Sequence, residues 1–152
     1  MASTTFSGPV TSTNGFIGAL TGNIAGTGSI THTATAINAT ATATAAQVAT
    51  GYITVTSATA VAITLPTGTL LGAALGAAKG TVFDLYIDNT ASTSTGIVTM
   101  VVATNGILSA GAADAGAGVA FGLLTVPVGV TGLARFTLIF SSATAYAFSR
   151  TA

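Results

Sequence analysis

From residue 51 to residue 150 the large apolar side chains recur at every second position, in short runs closed by Gly, Pro, Asn or Ser. An extended chain sends successive side chains to opposite faces, so each run reads as a β-strand with one buried face. Residues 81–88 are the clearest case, with Phe83, Leu85 and Ile87 inward and Asp84, Tyr86 and Asp88 outward. Residues 133–140 and 144–150 predict a hairpin in which Phe136, Leu138 and Phe140 meet Tyr146 and Phe148 across a turn at 141–143. Residues 52–56 and 60–65 predict a second hairpin around Ser57-Ala58-Thr59, ended by Pro66. Residues 97–103 are apolar on both faces and read as a central or covered strand. Asn105-Gly106 marks a tight turn, and residues 119–126 a further strand closed by Pro127. The expected body, residues 50–152, is all-β: an antiparallel β-sandwich of jelly-roll type. Residues 69–79 carry Gly72 and Gly76 four apart, with Gly80 next, and fit a short helix or an ordered loop equally well.

Residues 1–49 have a different texture, rich in Gly, Thr, Asn and Ala, with the alternating runs Thr31-His-Thr-Ala-Thr35 and Thr40-Ala-Thr-Ala-Thr44. Such a segment buries too little apolar surface to offset its ordering entropy. It is expected to be an extended N-terminal arm that orders against something else.

The chemistry available is sparse. Three cations and three anions serve 152 residues, with one His and no Cys, Trp or Glu. Active sites are built from perturbed carboxylates, imidazoles, thiols and amines. Here the candidates are His32, Lys79, Asp84, Asp88, Asp114, Arg135 and Arg150. Asp84 and Asp88, four apart on a strand, stand roughly 13 Å from each other, beyond the span of a glycosidase pair. His32 lies among Thr and Ala with no nucleophile elbow near any Ser. Lys79 lacks the Gly-Lys-Ser/Thr order of a phosphate loop. No enzyme, cofactor or metal is expected.

Zero net charge gives no electrostatic reason to bind nucleic acid or an anionic membrane, and it favours self-association. The mean hydropathy is +0.81, yet no run of roughly 20 apolar residues is present to span a bilayer. Residues 1–6 lack the basic and apolar regions of a secretory signal, so export by that route is not expected. Asn38-Ala39-Thr40, a glycosylation pattern, is then incidental. The Thr-x-Thr runs raise ice binding as an alternative, but they are short and show no solenoid period.

The opening Thr4-Thr-Phe-Ser-Gly-Pro-Val10, then Ser12-Thr-Asn-Gly-Phe16 and Thr21-Gly-Asn23, resembles the N-terminal segments of small tailed-phage head decoration (cement) proteins and head-fibre proteins. The later order is similar too, with Thr64-Leu65-Pro66, a loop, Phe83-Asp-Leu-Tyr-Ile-Asp-Asn-Thr90 and a closing aromatic hairpin. The resemblance implies a β-sandwich protomer, commonly trimeric, on the outer capsid surface where major capsid subunits meet. It would be made in the host cytoplasm and carried out on virions at lysis. The large apolar residues of the arm, Phe6, Pro9, Val10, Phe16, Ile17, Leu20 and Ile24, are the candidate contacts with capsid or neighbouring subunits. A head-fibre or tail-fibre module touching the host is the alternative, with the outward Tyr52 and Tyr86 as its candidate contacts.

Overall fold

A computed structural model describes residues 32–108 and 124–151, which lie in the unit Thr31–Ala152. The described chain is largely β. Its strands are β1 (Thr33–Ala36), β2 (Ala41–Thr42), β3 (Gly51–Thr54), β4 (Val61–Thr64), β5 (Val82–Asp88), β6 (Val98–Val101), β7 (Gly106–Leu108), β8 (Thr125–Val126), β9 (Leu133–Ser142) and β10 (Ala145–Arg150). Two short helices, α1 (Ala45–Ala49) and α2 (Gly68–Leu75), join strands. One sheet has the order β1-β3-β5-β9-β10-β7 and the other β2-β4-β6-β8.

Consecutive strands alternate between the sheets from β1 to β8. As a result β1, β3 and β5 lie parallel in one sheet while β2, β4 and β6 lie parallel in the other. Antiparallel pairing is confined to β5–β9, β9–β10 and β6–β8, and β7 joins β10 in parallel. The sheets are therefore mixed, a correction to the antiparallel expectation.

The hairpin expected from residues 52–65 does not form, because β3 and β4 belong to different sheets. The physical reason lies in the connection. Ser57 N donates to Ser92 Oγ, Ser92 Oγ donates to the Val55 carbonyl, and Thr93 N donates to the Ser57 carbonyl. The 55–60 segment is thus bonded to the 89–96 loop of the next turn of chain, which holds it open. A period of two shows which face of a strand is buried but not which sheet the strand joins.

The inward faces keep the expected alternation. Ile53, Ile63, Leu85, Ile87, Val98, Met100, Phe136, Leu138, Tyr146 and Phe148 are fully buried, and the two sheets' buried residues belong to one apolar cluster. The aromatic hairpin forms as expected, with Tyr146 opposite Phe140 and Phe148 opposite Leu138, although its turn is Ala143-Thr144. Strand 81–88 appears as β5. Of residues 97–103 only the inward Val98 and Met100 are buried, while Ile97 and Val101 face solvent. Of the strand expected at 119–126, Thr125–Val126 is seen as β8 and residues 119–123 lie outside the described residues. Within the segment expected as an arm, residues 33–49 hold β1, β2 and α1, with β1 and β2 paired onto β3 and β4. The rest of that segment lies outside the described residues. No helix among the described residues is long and apolar enough to cross a membrane.

Residues 68–75 take the helical alternative. Thr67 caps α2 by accepting from Leu70 N, and Gly76 ends it at φ 59°. The helix lies on the β9–β10 turn through Gly72, where a Cβ would overlap the Ala143 carbonyl oxygen. Backbone cannot swing aside as a flexible side chain does. Gly72→Ala is therefore expected to cost about 1–3 kcal/mol as an overpacking change, read as a lower urea midpoint at unchanged slope.

Candidate functional site

Six of the described side chains that carry charge or aromatic polarity, His32, Tyr52, Asp84, Tyr86, Asp88 and Arg135, gather on the outer face of the six-stranded sheet. On β5 the inward positions are Leu85 and Ile87, so Asp84, Tyr86 and Asp88 project outward. The register brings Tyr52 of β3 beside Tyr86 and sets Arg135 of β9 on the other side of it. Across β5 and β9, Asp84 faces Thr137 and Asp88 faces Leu133. Val82 and Ile139, paired with each other, and Leu133 add exposed apolar surface to the same face.

His32 completes the row. Its Nδ1 lies 3.0 Å from the Thr50 carbonyl, and a carbonyl only accepts, so Nδ1 carries the proton. The imidazole rests over Gly51, which adopts φ 77°, and a Cβ there would overlap the ring. Its centroid lies 5.9 Å from that of Tyr86 at an interplanar angle of 48°, a tilted arrangement favoured between aromatic rings.

The charged groups are held by neutral partners. Thr137 Oγ1 donates to Asp84 Oδ1 at 2.6 Å, Arg135 Nε donates to Thr151 Oγ1 at 3.1 Å, and the two threonine hydroxyls are 3.1 Å apart. A chain of hydroxyls thus links Asp84 to Arg135. Asp88 accepts from Tyr52 OH through one oxygen and from Thr90 N and Thr90 Oγ1 through the other. The Thr90 hydroxyl, then the Tyr52 hydroxyl, hold the Asp88 carboxyl below the usual carboxylate range. The same bond, with some burial, raises the Tyr52 phenol.

Three predictions of sign follow from these groups and from Tyr146, whose buried OH donates to the Pro66 carbonyl and whose pKa is pushed up to about 12 by burial. Asp88 stabilises the fold above the unfolded carboxylate pKa of about 3.9, and that contribution is lost as pH falls through the lower folded value. Tyr146 and Tyr52 contribute below the unfolded phenol pKa of about 10, and this is lost as pH climbs through their raised folded values. Urea stability is expected to be flat between about pH 5 and 9 and to fall on both sides. Asp88→Asn should shallow the acid limb and Tyr146→Phe the alkaline one.

Asp84 and Asp88 share one strand and one face but no partner. Lys79 is exposed beyond α2, and Arg150 Nη1 donates to the Thr125 carbonyl, tying β10 to β8. Asp114 and the candidate contacts Phe6, Pro9, Val10, Phe16, Ile17, Leu20 and Ile24 lie outside the described residues. Among the described residues no three His, Cys, Asp or Glu side chains converge as metal ligands would. The arrangement is an aromatic and polar strip with apolar flanks. Comparison with family models, curated proteins and solved structures finds no match to this chain.

Proposed function

We propose that this chain is a structural virion protein that binds the outer surface of a phage capsid and cements neighbouring major capsid subunits, acting as a homotrimer whose body is a two-sheet β-sandwich. The observation that carries the proposal is the strip His32, Tyr52, Tyr86, Arg135 on one outer sheet face, flanked by the exposed apolar side chains Val82, Leu133 and Ile139. Tyr and Arg are the residues enriched where protein surfaces meet, and cementing requires contact area rather than a reactive group. The sequence resemblance to decoration proteins points the same way, with Phe6, Pro9, Val10, Phe16, Ile17, Leu20 and Ile24 as further contacts.

The test is co-sedimentation with heads assembled without the protein. Wild type is expected to pellet with the heads, and the double variant Tyr86→Ser, Arg135→Glu to stay in the supernatant while keeping its fold. Full occupancy by the double variant removes the strip from the account, and failure of wild type to bind heads removes the cementing role. The adjacency of Tyr52 and Tyr86 also favours a second reading, a fibre module that contacts the host. In that case wild type binds host cells, and the same double variant does not.

A further inference from the structure

The described residues hold three asparagines, Asn38, Asn89 and Asn105, and of these only Asn105 is followed by glycine. An asparagine Cγ can be attacked by the main-chain nitrogen of the next residue. A Cβ on that residue obstructs the approach, and glycine leaves it open. The fold separates the three further. Asn38 Oδ1 accepts from Thr56 N at 2.7 Å, and Asn89 is fully buried with its Nδ2 against the carbonyls of Gly96, Val126 and Pro127. Asn105 is exposed, and its side chain makes no hydrogen bond among the described residues.

The backbone at Asn105, by contrast, is pinned. Asn105 takes φ 62°, a left-handed conformation that Asn tolerates better than most residues. Gly106 N donates to the Ala103 carbonyl at 2.9 Å, and the Asn105 carbonyl accepts from Tyr146 N at 3.1 Å. Gly106 then opens β7, the strand at one edge of the six-stranded sheet, and pairs with Tyr146 of β10. The attacking nitrogen therefore has its proton engaged and its peptide plane fixed. For it to swing towards Cγ both bonds must let go, so the start of β7 must lift from β10.

We propose that Asn105-Gly106 is a self-modification site whose reaction is gated by the detachment of β7. In the open turn, hydroxide takes the proton of Gly106 N, and the nitrogen bonds to Asn105 Cγ. The Cγ–Nδ2 bond breaks, and Nδ2 leaves as ammonia with a proton from water. Water then opens the cyclic imide at either carbonyl, giving aspartate or isoaspartate, and no other co-reactant enters. In isoaspartate the main chain runs through Cβ and Cγ and is longer by a carbon, so β7 loses its register on β10. Either product adds a carboxylate to a chain whose three cations and three anions otherwise balance.

The experiment ages the full chain in mildly alkaline buffer, folded or unfolded in urea. Trypsin cuts after Lys79 and Arg135, so peptide 80–135 carries Asn89 and Asn105, and tandem mass spectrometry locates the conversion. In the unfolded chain Asn105 is expected to convert ahead of Asn38 and Asn89. In the folded chain it is expected to convert slower by about tenfold or more, since opening an edge strand at a cost of only about 1.4 kcal/mol already gives that factor. Urea below the unfolding transition should speed the folded reaction. Aged wild type should unfold at a lower urea midpoint than fresh protein. Asn105→Gly suits φ 62° and has no side-chain amide, so it should fold and hold its midpoint through the same ageing, although it keeps Asn14-Gly15. Equal folded and unfolded rates at Asn105 would remove the gate. Unfolded conversion as fast at Asn38 or Asn89 would remove the site, and a converted protein with an unchanged midpoint would remove the loss of register.

Discussion

Replacing Asn89 by Asp is expected to lower stability at neutral pH by about 3–5 kcal/mol, the cost of leaving a buried charge uncompensated. Asn89 is fully buried, and the two N–H groups of its Nδ2 serve the carbonyls of Gly96, Val126 and Pro127 at 2.9–3.0 Å, one N–H being shared between two of them. Only an amide nitrogen suits three carbonyl oxygens, which fixes the orientation of the side chain. Its Oδ1 finds no partner among the described residues, so the clamp is kept despite an unsatisfied acceptor. A carboxylate in this place would set a negative oxygen against three others.

Asn89→Ala is expected to cost less, about 1–3 kcal/mol, since it only leaves carbonyls unpaired. The Asp variant should recover relative to wild type as pH falls, because its folded pKa is raised and protonation restores one donor. Urea unfolding at pH 7 and pH 4 reads both effects. An Asp variant no worse than Ala at pH 7 would contradict the clamp.

Phe136→Ala is expected to cost about 3–5 kcal/mol. Phe136 is fully buried at the centre of the larger sheet, between β5 and β10. Its ring stacks on Phe148 with centroids 5.0 Å apart and planes 7° from parallel. Truncation removes the buried ring and its stacking contact with Phe148 from the cluster that both sheets share. Ile139, its neighbour on the opposite face, is half exposed, and Ile139→Ala should cost far less. Equal losses at the two positions would mean that the alternation does not separate core from surface.

The contrast between those neighbours shows what was legible in the sequence. Which residues of β5, β9 and β10 face inward is written in their period of two, and the aromatic hairpin followed from it. The sheet partners of the earlier strands were not legible. Residues 33, 51 and 85 fall on neighbouring parallel strands, but their unequal spacing leaves no repeat to detect. The hydrogen bonds that keep residues 52–65 from closing as a hairpin come from Ser92 and Thr93, far along the chain.

The candidate site was half legible for the same reason. Asp84, Tyr86 and Asp88 were placed outward by alternation. Their meeting with His32, Tyr52 and Arg135 depends on parallel register, which the sequence does not display. Asn89 reads as one more polar turn residue until the three carbonyls are seen around it.

The account rests on contact between surfaces, first of all between copies of this chain. The measurement that tests it most directly is the native mass of the purified full chain by light scattering on a sizing column. The account predicts a particle near 44 kDa, three times 14.6 kDa. A stable species of 14.6 kDa at every concentration would contradict it.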